Sequence, residues 1–137
     1  MRSSVLGGLC GCLLILTGCS GSEELQEAER AVPRFRQMLE AGQLPQMYEQ
    51  SAPELKGVTS KAEFIEFLAA VRKLGTVKTA ERTGFNVRYG TDGTHVSLVY
   101  ETEFAAGSGV ESFVYRTSGS GATLAGYNIN SRALMQE

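Results

Sequence analysis

The character of the chain changes at Gly75, and that change restricts the fold more than any other feature. Before it, apolar residues recur at helical spacing. Leu25, Ala28, Val32, Phe35 and Leu39 follow one another at intervals of three, four, three and four, which is one face of an amphipathic helix. Pro33 falls inside this stripe and predicts either a kink near Val32 or two abutting helices. Gly42 ends the segment, and Leu44 to Gln50 reads as a short helix opened by Pro45, with Met47 and Tyr48 facing inward. Ser60-Lys61-Ala62-Glu63 is a capping box, after which Phe64, Phe67, Leu68, Val71 and Leu74 trace a second stripe. Gly75 then supplies the C-cap.

Beyond Gly75, β-branched and aromatic residues alternate with polar ones, and glycine clusters punctuate the chain at Gly90 to Gly93, Gly107 to Gly109 and Ser118 to Gly121. These are hairpin intervals. The predicted strands are Val77 to Tyr89, broken near Gly84, then Thr94 to Phe104, Val110 to Thr117 and Ala122 to Ser131. In the second, Val96, Leu98, Tyr100, Thr102 and Phe104 share one face, and His95, Ser97, Glu101 and Glu103 share the other. Helices grouped ahead of sequential hairpins give an α+β class, with N-terminal helices on one face of a four-stranded antiparallel meander.

The chain opens with an address. Arg2 precedes an apolar run from Val5 to Leu16, which suits a secretory signal and is too short to cross a ~30 Å hydrocarbon layer as a helix. Leu16-Thr17-Gly18-Cys19 closely resembles the bacterial lipobox. The resemblance implies cleavage between Gly18 and Cys19, diacylglycerol on the Cys19 thiol and acylation of the new amino terminus, palmitate included. Residues 1–18 are then a lipoprotein signal peptide, 19–24 a short tether and 25–137 a single α+β domain. Five extended residues reach at most about 18 Å, which holds the domain close to its membrane. Cys10 and Cys12 leave with the signal and Cys19 takes lipid, so no disulfide is expected and the core alone must hold ~120 residues. Several acyl chains anchor stably where one is marginal. By analogy with bacterial lipoproteins, Ser20 in place of an Asp favours the periplasmic face of the outer membrane in a Gram-negative cell.

Taken in order, Ser60-Lys61-x-x-Phe64, Leu74-Gly75, Val99-Tyr100-x-x-x-Phe104, Glu111 with Phe113, and Gly126-Tyr127-x-Ile129 resemble the cone-shaped α+β class of nuclear-transport-factor-two-like and cystatin-like domains. More specifically, they resemble an uncharacterised family of secreted or lipidated bacterial proteins of that fold. The likeness spans Leu25 to Ser131 and implies a curled antiparallel sheet wrapped around the N-terminal helices. It departs from the family at Ala122 and Thr123, where a Trp often stands. The family carries no activity over, and the fold class hosts enzymes, binders and adaptors alike.

The side chains offer little chemistry. A net charge of −2 spread along the chain points away from a nucleic-acid surface. His95 is the one imidazole, and without a second His or a mature thiol no metal set can be assembled. It reads as a solvated strand residue, and Asp92 as a turn residue in Thr91-Asp92-Gly93. Arg30, Arg34 and Arg36, interleaved with Glu27, Glu29 and Glu40, read as a solvated face. Nucleotide, metalloprotease and serine-hydrolase motifs are missing, and no cofactor is implied. What remains is a candidate pocket between sheet and helices, formed by Tyr100, Phe104, Glu111, Phe113, Tyr115 and Tyr127. Glu101 and Glu103 point to solvent if the aromatic face is inside. Glu111 shares parity with Phe113 and Tyr115 and can face inward, paired with Arg116 or Arg88. The leading expectation is a non-enzymatic envelope lipoprotein that binds another envelope protein, or a small apolar or peptide ligand. The alternatives are an isomerase- or hydratase-like enzyme using Glu111 and a Tyr, with burial shifting the carboxyl pKa, or an accessory subunit of a secretion or envelope-maintenance system.

Overall fold

The computed structural model describes residues 20–136, so the signal segment and Cys19 lie outside the described residues. In chain order the elements are α1 (Ser20–Glu40), α2 (Leu44–Glu49), α3 (Pro53–Val58), α4 (Lys61–Arg72), β1 (Val77–Gly90), β2 (Gly93–Phe104), β3 (Gly107–Thr117), β4 (Ala122–Asn130) and α5 (Arg132–Met135). The strands form one antiparallel sheet in the order β1-β2-β3-β4. Helices pack against it, and the fold is α+β as the periodicity predicts.

Helix α1 buries Ala28, Val32, Phe35 and Leu39, the stripe expected from the spacing. It runs unbroken through Pro33 rather than splitting in two. Pro33 sits on the exposed side, where water can meet the Glu29 carbonyl that loses its amide partner. The helix also starts earlier than expected. Ser20 to Glu24, anticipated as an extended tether, are the first residues of α1. Helix α4 begins at the capping box, with Ser60 Oγ accepting from the Glu63 amide and Glu63 reaching back to the Ser60 amide. It ends before Gly75, whose φ of +83° only glycine adopts without strain. Helices α3 and α5 were not anticipated, because one or two turns are too short to show a period.

The sheet's parity is the expected one. Val96, Leu98, Thr102 and Phe104 of β2, Glu111, Phe113 and Tyr115 of β3, and Leu124 and Ile129 of β4 are buried beneath the helices. The expected break at Gly84 is a register shift between Arg82 and Gly84 inside a continuous β1. One hairpin differs from expectation. The turn after β2 is Ala105-Ala106, and Gly107 to Gly109 belong to β3. The Ala105 and Ala106 amides bond to the carbonyls of Thr76 and Leu74, tying this turn to the end of α4. Gly107 and Gly109 serve close approach instead of turning: a Cβ on them would come within 2.9 Å of the Ala133 Cβ and 3.1 Å of the Ile129 side chain. On the opposite edge, the Ala52 amide donates to the Leu124 carbonyl at 2.8 Å and stitches the α2–α3 link to β4.

Candidate functional site

The cross-strand register brings Tyr100 opposite Glu111 and Glu111 opposite Ile129, which carries Glu111 to the middle of the sheet's covered face. Its residue exposure is 0 %, unusual for a carboxylate without partners. The partners are present. Arg36 Nη1 donates to Oε1 at 2.8 Å, Thr102 Oγ1 donates to the same oxygen at 2.6 Å, and the Tyr127 hydroxyl donates to Oε2 at 2.6 Å. Three elements of the fold thus converge on one carboxylate: α1 supplies the guanidinium, β2 and β4 the hydroxyls.

The expected bases, Arg116 and Arg88, do not fill this role. Arg116 lies on the other face of the sheet, 3.3 Å from Glu54 and donating to the Asp92 carbonyl, while Arg88 is exposed. Arg36 reaches Glu111 because it stands four residues after Val32, on the edge of the buried stripe. Its side chain is only 15 % exposed, so it is not part of a solvated basic face as the charge interleaving suggested. Arg30 and Arg34 are exposed, and Arg34 donates to Gln50 Oε1 at 3.2 Å. The Arg36 guanidinium also lies over the rings of Tyr100 and Phe113, at 5.7 and 5.8 Å. Such contacts favour a desolvated cation.

Around this centre the aromatic side chains interlock. Phe35 meets Phe113 edge to face at 5.1 Å and Tyr127 at 4.6 Å; Phe113 in turn meets Tyr127 at 5.0 Å and stacks with Tyr115 at 6.0 Å. The candidate residues Tyr100, Glu111, Phe113, Tyr115 and Tyr127 are therefore brought together, but as a packed cluster. Phe104 stands apart, buried at the end of β2 beside Val77 and Gly107. Burial pushes the Tyr127 hydroxyl far above its ordinary range, and the neighbouring Glu111 charge adds to the shift. Tyr115 is raised by burial as well, against the opposing charge of Arg36. Both remain protonated donors through the physiological range.

His95 is not solvated. Its side chain is 14 % exposed and lies 3.1 Å from Glu54 Oε1. The Glu54 carboxyl is held below its ordinary value, first by its own backbone amide and then by His95 and Arg116, with desolvation opposing. The trio ties α3 to β2 and β3. Glu101 and Glu103 are exposed, as parity predicts.

Arg36 and Thr102 were missed as partners of Glu111, though each left a trace. Thr102 was the polar member of an otherwise apolar inward set, and Arg36 shared a helix face with Val32. No family model matches the chain, and no curated protein or solved structure matches it either.

Proposed function

We propose that the chain is an envelope lipoprotein whose α+β domain is a binding module with no catalytic step. The observation that carries this is the state of Glu111. A general base must lie within reach of a substrate proton. Both oxygens of Glu111 already accept hydrogen bonds from Arg36, Thr102 and Tyr127, and none of its surface is exposed. That arrangement suits a carboxylate that fixes the position of α1 over the sheet. It does not suit the isomerase- or hydratase-like alternative.

The lipobox Leu16-Thr17-Gly18-Cys19 supports anchorage through Cys19, and Ser20 supports the periplasmic face of the outer membrane. A helix beginning at Ser20 rises ~1.5 Å per residue, so Ser20 to Glu24 separate lipid from domain by only about 8 Å. Partners consistent with this placement are another envelope protein, as in a secretion or envelope-maintenance assembly, or a small apolar or peptide ligand. Metabolic labelling with palmitate tests the anchor: label on the wild-type chain and none on Cys19→Ser is expected, whereas label retained by Cys19→Ser refutes it. The binding half is tested by capture with the wild-type chain: recovery of a specific envelope partner or ligand supports it, and recovery of neither refutes it.

A further inference from the structure

The two edges of the sheet are finished differently. The β4 edge is met by the Ala52 amide, which donates to the Leu124 carbonyl. The β1 edge is open: β1 ends the sheet on its side, and among the described residues no backbone hydrogen bond reaches it from beyond β2. An open edge turns every second N–H and C=O outward, and it is a template for another strand unless charge, proline or a bulge guards it. The first half of β1 is guarded. It carries Lys78, Glu81 and Arg82 and two register shifts, between Val77 and Thr79 and between Arg82 and Gly84. The second half is not, because Gly84 to Gly90 pair without interruption with Val99 to Gly93, and Arg88 is their one charge.

This unguarded half is palindromic in character. Gly84-Phe85-Asn86-Val87-Arg88-Tyr89-Gly90 runs glycine, aromatic, polar, valine, polar, aromatic, glycine in either direction. Two antiparallel copies related by a two-fold axis at Val87 set Phe85 against Tyr89, Asn86 against Arg88 and Gly84 against Gly90. Residues directly opposite one another must share a face of the sheet, and every pair in this register does. Phe85, Val87 and Tyr89 lie on the helix side, since their β2 partners are Leu98, Val96 and Thr94. Phe85 is 55 % and Tyr89 59 % exposed, the two large apolar side chains that β1 leaves in water. In this register each is covered by the other from the second copy, and no like charges stand directly opposite. The Arg82 guanidinium already lies over the Phe85 ring, 4.9 Å from its centre, which restricts the ring before any partner arrives.

We infer that the open edge of β1 is a homodimer interface, in which residues 84–90 of two copies pair antiparallel about Val87 and join their sheets into one. The backbone supplies the hydrogen bonds, and the two Phe85–Tyr89 pairs fix the register. A foreign strand would meet the same backbone, but a second copy brings the matching order of side chains by symmetry alone. The inference goes beyond the reading of the domain as a binding module and needs neither the lipid anchor nor the Glu111 cluster.

The test is thiol crosslinking of the full chain in intact cells with a short bismaleimide, read as a covalent dimer on a denaturing gel. Val87→Cys places a thiol on the proposed axis, and Glu81→Cys places one on the same strand but roughly 40 Å from its copy at ~3.4 Å per residue. Val87→Cys should give the dimer, and Glu81→Cys should give no more than the wild-type chain with its own cysteines. In the Val87→Cys background, Phe85→Lys or Tyr89→Glu alone should lower the dimer by roughly ten-fold, since the axis doubles the loss of each cross-strand pair. The two together should restore it, because each introduced cation then faces an introduced anion across the axis. Both sites are more than half exposed, so the single variants are expected to fold, which circular dichroism checks. No dimer from Val87→Cys, or Val87→Cys joined only to a different protein, overturns the second copy as occupant. Equal dimer from Glu81→Cys, or no recovery in the double variant, overturns the register. Dimer formation with no palmitate label and no envelope partner sinks the wider reading alone.

Discussion

Glu111 is the residue whose removal the fold should tolerate least. Deleting its carboxylate leaves the Arg36 guanidinium desolvated beneath the Tyr100 and Phe113 rings, and two hydroxyl donors unpaired. Breaking a buried pair from one side typically costs about 3–5 kcal/mol. Glu111→Ala should therefore lower unfolding stability in urea by an amount of that order. Replacing both partners with apolar residues, as in Glu111→Leu with Arg36→Met, should cost less than either single change, and additivity of the two would contradict the pairing. A second prediction concerns alkali. Tyr115 and Tyr127 have raised pKa values in the fold and ordinary ones near 10 when unfolded. For an acid held neutral by the fold, the stabilisation is complete below the unfolded pKa and declines as pH rises beyond it. Stability should thus fall above about pH 10, by up to ~1.4 kcal/mol per pH unit for each tyrosine. Absorbance titration at 295 nm checks this: ionisation of these two should coincide with loss of the far-ultraviolet helix signal.

Elements differ in how much of themselves they show in a sequence. Helix α4 was legible end to end, because the Ser60–Glu63 capping box and Gly75 are local signals that need no tertiary partner. Ser60→Ala should cost about 1 kcal/mol. Gly75→Ala should destabilise by more than the roughly 1 kcal/mol that such an exchange gains at a compatible site, since the backbone there has φ of +83° and a Cβ would meet the Ala105 Cβ at 2.9 Å. Thermal unfolding of the two variants compares them. Helix α1 was legible in its buried face, while one kinked helix and two abutting helices stayed open alternatives, because the sequence shows that Pro33 lacks an amide but not that the site faces water. Pro33→Ala should restore one bond to the Glu29 carbonyl and raise stability, by at most the ~3 kcal/mol proline penalty. Gly107 and Gly109 read as a turn because turn glycines and close-approach glycines look alike until Ala133 and Ile129 arrive from distant sequence. The partners of Glu111 were hidden for the same reason. Arg36 is 75 residues away, and parity could place the acid inside without naming which base meets it.

At the scale of the molecule, three features act together. The proposed lipid on Cys19 sits directly ahead of α1, α1 carries Arg36, and Arg36 locks onto Glu111 in the middle of the sheet. A lipid at Cys19 would be joined to the core through α1, which begins at Ser20. No helix among the described residues is long and apolar enough to cross a membrane. Attachment is proposed to rest on acyl chains at Cys19. The most direct test is crosslinking in intact cells followed by co-purification and mass spectrometry, with Cys19→Ala in parallel. The account predicts a specific envelope partner or ligand recovered with the wild-type chain and lost when Cys19→Ala releases the domain from its surface; recovery of neither from the wild type would contradict it.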